Sequence, residues 1–322
     1  MSSTPTTLPG IEQILADEQE LAMRPRSSTR KLLRLARQNP LGAFGAVVIA
    51  ALIFVGILGP GITVSVPWGP EIFSTPRLTE YSYSAIGVGV PLEDPSVNHP
   101  FGTDKSGRDM VARVVAGARV SLLVGFVSVI GGIAIGMVIG IFSGYSGGWV
   151  DNLIQRMVDT IIAFPGLVLL LILMSVFSPS MTTVILVIML LTIFPTIRIT
   201  RGATLSEKNN QYVEATRSIG ASSPRILFRH LLPNILPLGI VLMTTSLGAA
   251  ILAESALSFL GLGIPEPNPS WGRDISTARN TFPIHVWWAL FPGIAISLTV
   301  LAFNLLGDTI RDIFDPRLRG SR

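Results

Sequence analysis

The chain of 322 residues contains no cysteine, which excludes a disulfide scaffold, a thiol nucleophile, a Cys-ligated zinc and an iron–sulfur cluster. It is also poor in charge. Only 14% of positions are Asp, Glu, Lys or Arg, against about a quarter in a soluble domain, so the polar surface of a water-soluble protein is missing. Lysine is nearly absent, with Lys31, Lys105 and Lys208 alone. None of them follows a glycine, so there is no P-loop, in which a Gly-Lys step sets the amine on phosphate oxygens.

What is present is apolar: 49% hydrophobic residues and a mean hydropathy of +0.57. That composition excludes intrinsic disorder and points to a membrane protein. The net charge of +4 gives no reason to expect nucleic acid; the basic residues are better read by their placement around apolar runs. A hydrocarbon core of about 30 Å needs about 20 apolar residues in a helix. Six stretches qualify, near 41–60, 120–142, 159–178, 181–201, 235–256 and 287–307. The first begins too far along the chain, and lacks the small-residue site, to be a cleaved signal peptide. Pro165, Pro195 and Pro292 remove backbone donors within spans, so kinks are expected.

Positive residues stay on the cytoplasmic side of a membrane. Arg24, Arg26, Arg30, Lys31, Arg34 and Arg37 crowd the start of the first span and place the N-terminus inside. With six spans alternating from there, inside segments hold 17 basic residues and outside segments 7, so both termini are expected in the cytoplasm. His99 and His285 then fall outside and His230 inside, so the three histidines of the chain cannot converge on one metal. Residues 1–23 look like a mobile tail with, at most, a frayed helix around Glu18 and Glu20. Pro60 to Asp94 is expected to be an outside loop with little regular structure.

Several patterns carry more than hydrophobicity. Gly132, Gly136, Gly140 and Gly144 recur every four residues in the second span, with Gly125 and Ser128 nearby, and make a flat ridge suited to close helix approach. The ridge fits either packing within the chain or contact with a second membrane subunit. Gly144-Tyr-Ser146-Gly-Gly148 matches a nucleophile elbow formally, but it lies in a tight loop between spans with no histidine in reach, so no serine hydrolase is expected. Asp109 and Arg113, four apart beside Met110, Val111, Val114 and Val115, predict a short helix on the outer surface, anchoring the second span or touching a partner protein. Glu254 lies near the outer end of the fifth span. A carboxylate there either lines or gates a transport path, or pairs with an arginine or a neighbouring helix end at the interface. Arg198, Arg201, Asn304 and Asp308 read as anchors at inner span ends.

The most informative segment lies between the fourth and fifth spans. Residues 211–220 are helical in pattern up to Gly220, a residue that tolerates the left-handed conformation that ends a helix. Ser223 and Pro224 read as the cap and first position of a second helix, which is expected to break at Pro233. The product is a helix, turn, helix projection of about 30 residues, more than two spans need to be joined. It suits docking to another protein; an amphipathic hairpin held on the inner leaflet by Arg217, Arg225 and Arg229 is the alternative.

The pattern Glu214-Ala215, then Gly220, then Leu232-Pro233 resembles the cytoplasmic coupling motif of binding-protein-dependent ABC transporter permeases. Thr216 departs from the second alanine of that motif, and His230 stands where many members carry isoleucine. The run from His230 to Asn234 is similar to the dipeptide, oligopeptide and nickel branch. Further segments agree: His99 to Asp109, Val158-Asp159 to Phe164-Pro165, Ala253-Glu254 to Gly263, and Pro269 to Gly272. The resemblance covers roughly residues 30–316.

It implies an all-α polytopic membrane protein with six transmembrane helices in the type I ABC importer permease fold, in a bacterial cell membrane. It implies half of a translocation path for peptides or nickel complexes, partnered by a homologous permease, two ATPases that bind ATP and Mg, an extracytoplasmic solute-binding protein and membrane lipid. No catalytic, cofactor or metal site is expected in this chain. The expected organisation is a cytoplasmic tail over 1–29, the first span and outside loop over 30–119, a permease domain over 120–308 and a cytoplasmic tail over 309–322. An ion-gradient carrier would show inverted repeats and midplane ion ligands, and neither is apparent; a membrane anchor for soluble subunits is the other alternative.

Overall fold

The computed structural model describes residues 36–59, 63–65, 71–74 and 78–314. The expected tail over 1–29, with its frayed helix, and the end of the chain from 315 lie outside the described residues. Helix α1 is Pro40–Leu58, followed by a small antiparallel pair, β1 Thr63–Ser65 and β2 Glu71–Ser74. Then come α2 Met110–Ser146, α3 Gly148–Ile162, α4 Gly166–Val176, α5 Met181–Glu207, α6 Gln211–Ser218, α7 Ser223–Ile226, α8 Leu232–Phe259, α9 Trp271–Ala278 and α10 Val286–Phe314. Among its described residues the loop between α1 and α2 thus carries one short hairpin where little regular structure was expected.

Five helices are long and apolar enough to cross a membrane, and a sixth crossing is broken: α3 and α4 meet at 89°. The predicted span at 159–178 therefore bends at Pro165, which caps α4. The 11 residues of α4 reach about 16 Å as helix, and the extended chain from Phe177 to Ser180 adds about 13 Å. Together they return the chain across the bundle.

The core is built around α2 and α5, which run parallel. The glycine ridge of α2 faces α5 within the same chain. A Cβ added at Gly132 would lie 2.7 Å from the Thr192 Cβ, at Gly136 2.7 Å from that of Thr196, and at Gly144 2.9 Å from that of Thr204. At Gly140 it would overlap the Thr200 hydroxyl. Each of these threonines turns its hydroxyl back onto the carbonyl four residues earlier, at 2.7–3.0 Å, so no polar group is left bare in the contact. The glycine ladder is matched by a threonine ladder of the same period.

Helix α1 lies outside this pair. Gly42 and Gly45 press on Thr309 and Ala302 of α10, while Gly56 presses on Arg119 of α2. Its other faces, with Phe44, Val47 and Phe54 exposed, are apolar all round, as suits a helix facing lipid. Gly248 and Gly307 pair α8 with α10 in the antiparallel sense. These contacts put the start of α1, the end of α10 and the α6–α7 projection at one end of the bundle, and the segment 78–109 with α9 at the other.

The predicted short outer helix at Asp109–Arg113 is the first turn of α2, which continues unbroken for 37 residues. Asp109 caps it, accepting the Ala112 N–H at 2.8 Å and sharing a hydrogen bond of 3.0 Å with His99 Nδ1. Arg113 pairs with Asp274 of α9, through Nε at 2.9 Å and Nη2 at 2.5 Å, both groups fully buried. The Trp271 indole donates to the Val114 carbonyl at 2.9 Å, so α9 is fastened to the start of α2 by two polar links.

Candidate functional site

The projection between α5 and α8 starts where α5 is capped at Lys208. Asn210 precedes α6, which ends as the residue pattern requires. Gly220 adopts φ +80°, its N–H bonds to the Arg217 carbonyl at 3.0 Å, and the Ala221 N–H bonds to the Thr216 carbonyl at 3.3 Å. That pair of bonds is a Schellman closure, which uses carbonyls that a helix end leaves without partners. Nothing lies within 4 Å of a Cβ built at Gly220, so the glycine is required by its dihedral alone.

The second helix starts one residue earlier than expected, with Ser222 as cap and Pro224 one position inside. The expected break at Pro233 does not occur. Leu227–Leu231 winds as a π-turn and the chain continues directly into α8. A proline has no N–H and its ring crowds the carbonyl four residues back; the wider turn makes room for it at Arg229. The Asn234 side-chain amide donates to the His230 carbonyl at 2.8 Å.

The projection has a fixed base and a free tip. Val213, Ile226 and Leu231 are buried in the main core. Lys208 Nζ donates to the Gly144 carbonyl of α2 at 2.7 Å, and the Arg217 guanidinium stands 5.7 Å from the centroid of the Tyr145 ring. The Tyr212 hydroxyl donates to Glu207 at 2.6 Å and accepts from Asn234 at 2.9 Å. Partial burial, and then the Glu207 hydrogen bond, push the Tyr212 phenol up from its usual range, so it remains a neutral donor. At the tip, Glu214, Ala215 and Gly220 are exposed and Ile219 is 84% exposed. Glu214 makes no ion pair among the described residues and sits in the first turn of α6, where a negative charge meets the positive helix end. Leu232 and Pro233 lie at the base, half-buried and exposed respectively, on the opposite arm from Glu214.

Glu254 is elsewhere, fully buried towards the far end of α8. Its carboxylate accepts from Ser258 at 2.9 Å, Ser270 at 3.0 Å, Ser121 at 3.2 Å and Ser255 at 3.4 Å. Among the described residues it pairs with no arginine. It joins α8, α2 and the residue before α9. Arg201 grips Asp151 of α3 through Nε at 2.6 Å and Nη2 at 2.5 Å, and Arg198 pairs with Asp159. An apolar groove of about 610 Å³ runs between α4, α5 and α8, lined by Gly166, Pro195, Ala249 and Ala253 among others. Among the described residues no group of three or more His, Cys, Asp or Glu could hold a metal ion.

Reading the sequence missed the bracing set of Tyr145, Lys208 and Asn234, for which no local signal exists. It also missed Thr192, Thr196, Thr200 and Thr204, whose four-residue spacing is visible in the sequence.

Six membrane crossings with a braced projection between the fourth and the fifth define a helical transport permease. Residues 136–320 match the family described as binding-protein-dependent transport system inner membrane component. The chain is 36% identical over 293 residues to the dipeptide transport system permease protein DppC of Alkalihalophilus pseudofirmus, covering 91% of each. It is 38% identical over 273 residues to the glutathione transport system permease protein GsiD of Pectobacterium atrosepticum, covering 85% of this chain and 88% of that one. GsiD of Escherichia coli O6:K15:H31 is 38% identical over 295 residues, with 92% of each covered. The chain belongs to the binding-protein-dependent permease family. It is the membrane-spanning permease subunit of an ATP-driven ABC importer, a multi-pass membrane protein that works with ATPase and binding-protein partners. Neither an ion-gradient carrier nor a bare membrane anchor is favoured by that membership.

Proposed function

We propose that this subunit carries peptide-type solutes inward and receives the ATP-driven stroke through residues 203–234. The peptide class rests on the names of the dipeptide and glutathione relatives. In this reading the chain forms half of the path beside a homologous permease. Two ATPases bind and hydrolyse ATP with Mg, an extracytoplasmic binding protein delivers the solute, and both termini face the cytoplasm. Glu214, Ala215 and Gly220 form the contact that an ATPase grips, and Leu232 with Pro233 carries the motion into α8.

The observation that supports this reading is the exposed α6 tip on a rigid base. A docking element must present surface while transmitting force, and a tip closed by the backbone bonds at Gly220 on a base braced through Lys208, Tyr212 and Asn234 does so. Glu254 is assigned to the outer gate, where its four serine donors hold the far ends of α2 and α8 and the start of α9 together.

The test is ATP-driven uptake by the assembled transporter in proteoliposomes. Gly220→Val forces a β-branched residue to φ +80°, at a cost of about 1–2 kcal/mol or more, and should lower uptake severalfold while the complex still assembles. Cysteine placed at Ile219, in a chain that has none, should crosslink to an ATPase. Normal uptake by Gly220→Val, together with no crosslink at Ile219, would overturn the assignment.

A further inference from the structure

We propose that α3 is an interfacial helix whose Trp149, Leu153 and Met157 ridge is seated in the bilayer surface, rather than the first half of a span. The depth of α3 follows from its polar face. Asp151 and Asp159 are eight residues apart on α3, about 12 Å, yet they pair with Arg201 and Arg198, which are three residues and about 4.5 Å apart along α5. Helix α3 therefore crosses the end of α5 instead of following it. Arg198 is also the first charged residue after the uncharged run of α5 from Met181, so both acids are held where hydrocarbon gives way to water. Ser143 supplies the same level from α2: its hydroxyl donates to Asp151 at 2.6 Å, directly after an uncharged run from Val120 to Phe142.

The side of α3 turned away from the bundle carries the opposite chemistry. Trp149, Leu153 and Met157, each four residues from the next, are 75%, 54% and 61% exposed. Exposed Phe164 extends this surface into α4, where Val168 and Ile172 are also exposed, so the ridge is continuous with the apolar wall of a crossing helix. Arg156 is exposed on the same side. A helix at boundary depth, lying at 89° to the crossing segment that follows it, with tryptophan and aliphatic residues on one face and an arginine able to reach headgroup phosphates, has the composition that binds a lipid surface. The occupant is lipid at the junction of acyl chains and headgroups. The inference is independent of whether α6 grips an ATPase.

Spin labels test it in the assembled transporter, reconstituted in vesicles of phosphatidylethanolamine and phosphatidylglycerol. Labels at Leu153→Cys and Met157→Cys should be severalfold more accessible to oxygen, which concentrates in lipid, than to a water-soluble nickel chelate; Asn152→Cys, on the polar flank, should show the reverse. Trp149→Cys supplies a third ridge position should one variant fail to assemble. Nickel-favoured access on the ridge would mean that it faces water. Exclusion of both reagents would mean that a protein covers it. Either result overturns the proposal.

Discussion

Gly140→Ala is the sharpest probe of the helix pair at the centre of this permease. A methyl at residue 140 would overlap the Thr200 hydroxyl and lie 2.6 Å from the Ile197 carbonyl oxygen, where ordinary contact begins at 3.4 Å. The side chain of Thr200 can turn, but the carbonyl belongs to the backbone of α5, so α5 must retreat by about 0.8 Å, the difference of those two distances. A gap of that size forfeits about a quarter to a half of the dispersion well for every atom pair it opens, and overpacking of this kind costs about 1–3 kcal/mol. Gly202→Ala is the matched control: it lies in α5 and meets nothing within 4 Å, so it should be neutral or stabilising by about 0.5–1 kcal/mol. Thermal unfolding of the purified complex reads both. Thr200→Ala added to Gly140→Ala removes one obstacle and leaves the carbonyl, so the double variant should recover part of the loss, with a coupling of about 0.5 kcal/mol or more. Equal stability of Gly140→Ala and Gly202→Ala would refute the close parallel packing of α2 on α5.

Three further outcomes are expected. Arg113→Met strands the buried Asp274 carboxylate and should cost about 3–5 kcal/mol, whereas Arg113→Met with Asp274→Leu should recover most of it; differential scanning calorimetry compares them. Burial pushes the Asp274 carboxyl up while Arg113 opposes that shift, so removing Arg113 raises it further. A raised carboxyl penalises the fold above its folded pKa and not below its unfolded one, so the deficit of Arg113→Met should shrink as pH falls from 7 towards about 4. Asp151→Asn removes the charge that Arg201 grips through two nitrogens and should raise hydrogen exchange across α3 by severalfold, leaving α10 unchanged; protection equal to that of the unaltered chain would show that the pair does not hold α3.

Features built from short-range rules could be read directly from the residues. The Gly220 turn follows from what one residue type permits, and the α1, α5 and α10 spans from unbroken apolar length. The glycine ridge announced close packing, but its partner stayed open because nothing in α2 alone distinguishes a helix 60 residues away from one in another chain. The bend between α3 and α4 was hidden because the apolar run crosses Pro165 without a polar break; only the amphipathic pattern of 148–162, with Asp151 and Asp159 on one side, distinguished it. Pro233 misled for the opposite reason, since the penalty for proline in a helix assumes α geometry and the π-turn before it relieves the clash. Arg113 was matched to the nearest acid in sequence, Asp109, whereas its partner Asp274 is 161 residues distant and depends on the assembly of the whole end of the bundle that carries α9. For Glu254 the position was legible and the surroundings were not, because its four serines come from three separate stretches of chain.

The matched ladders of α2 and α5 have a further consequence. A zip with identical teeth does not record which tooth met which: sliding α5 along α2 by four residues, about 6 Å, would set threonine against glycine again at three of the four steps. Register must therefore be fixed by contacts that do not repeat. Ser128 on the Ile185 carbonyl at 3.0 Å and Lys208 on the Gly144 carbonyl at 2.7 Å are the two end stops, and the second of them, with Arg217 over the Tyr145 ring, also joins the projection to α2.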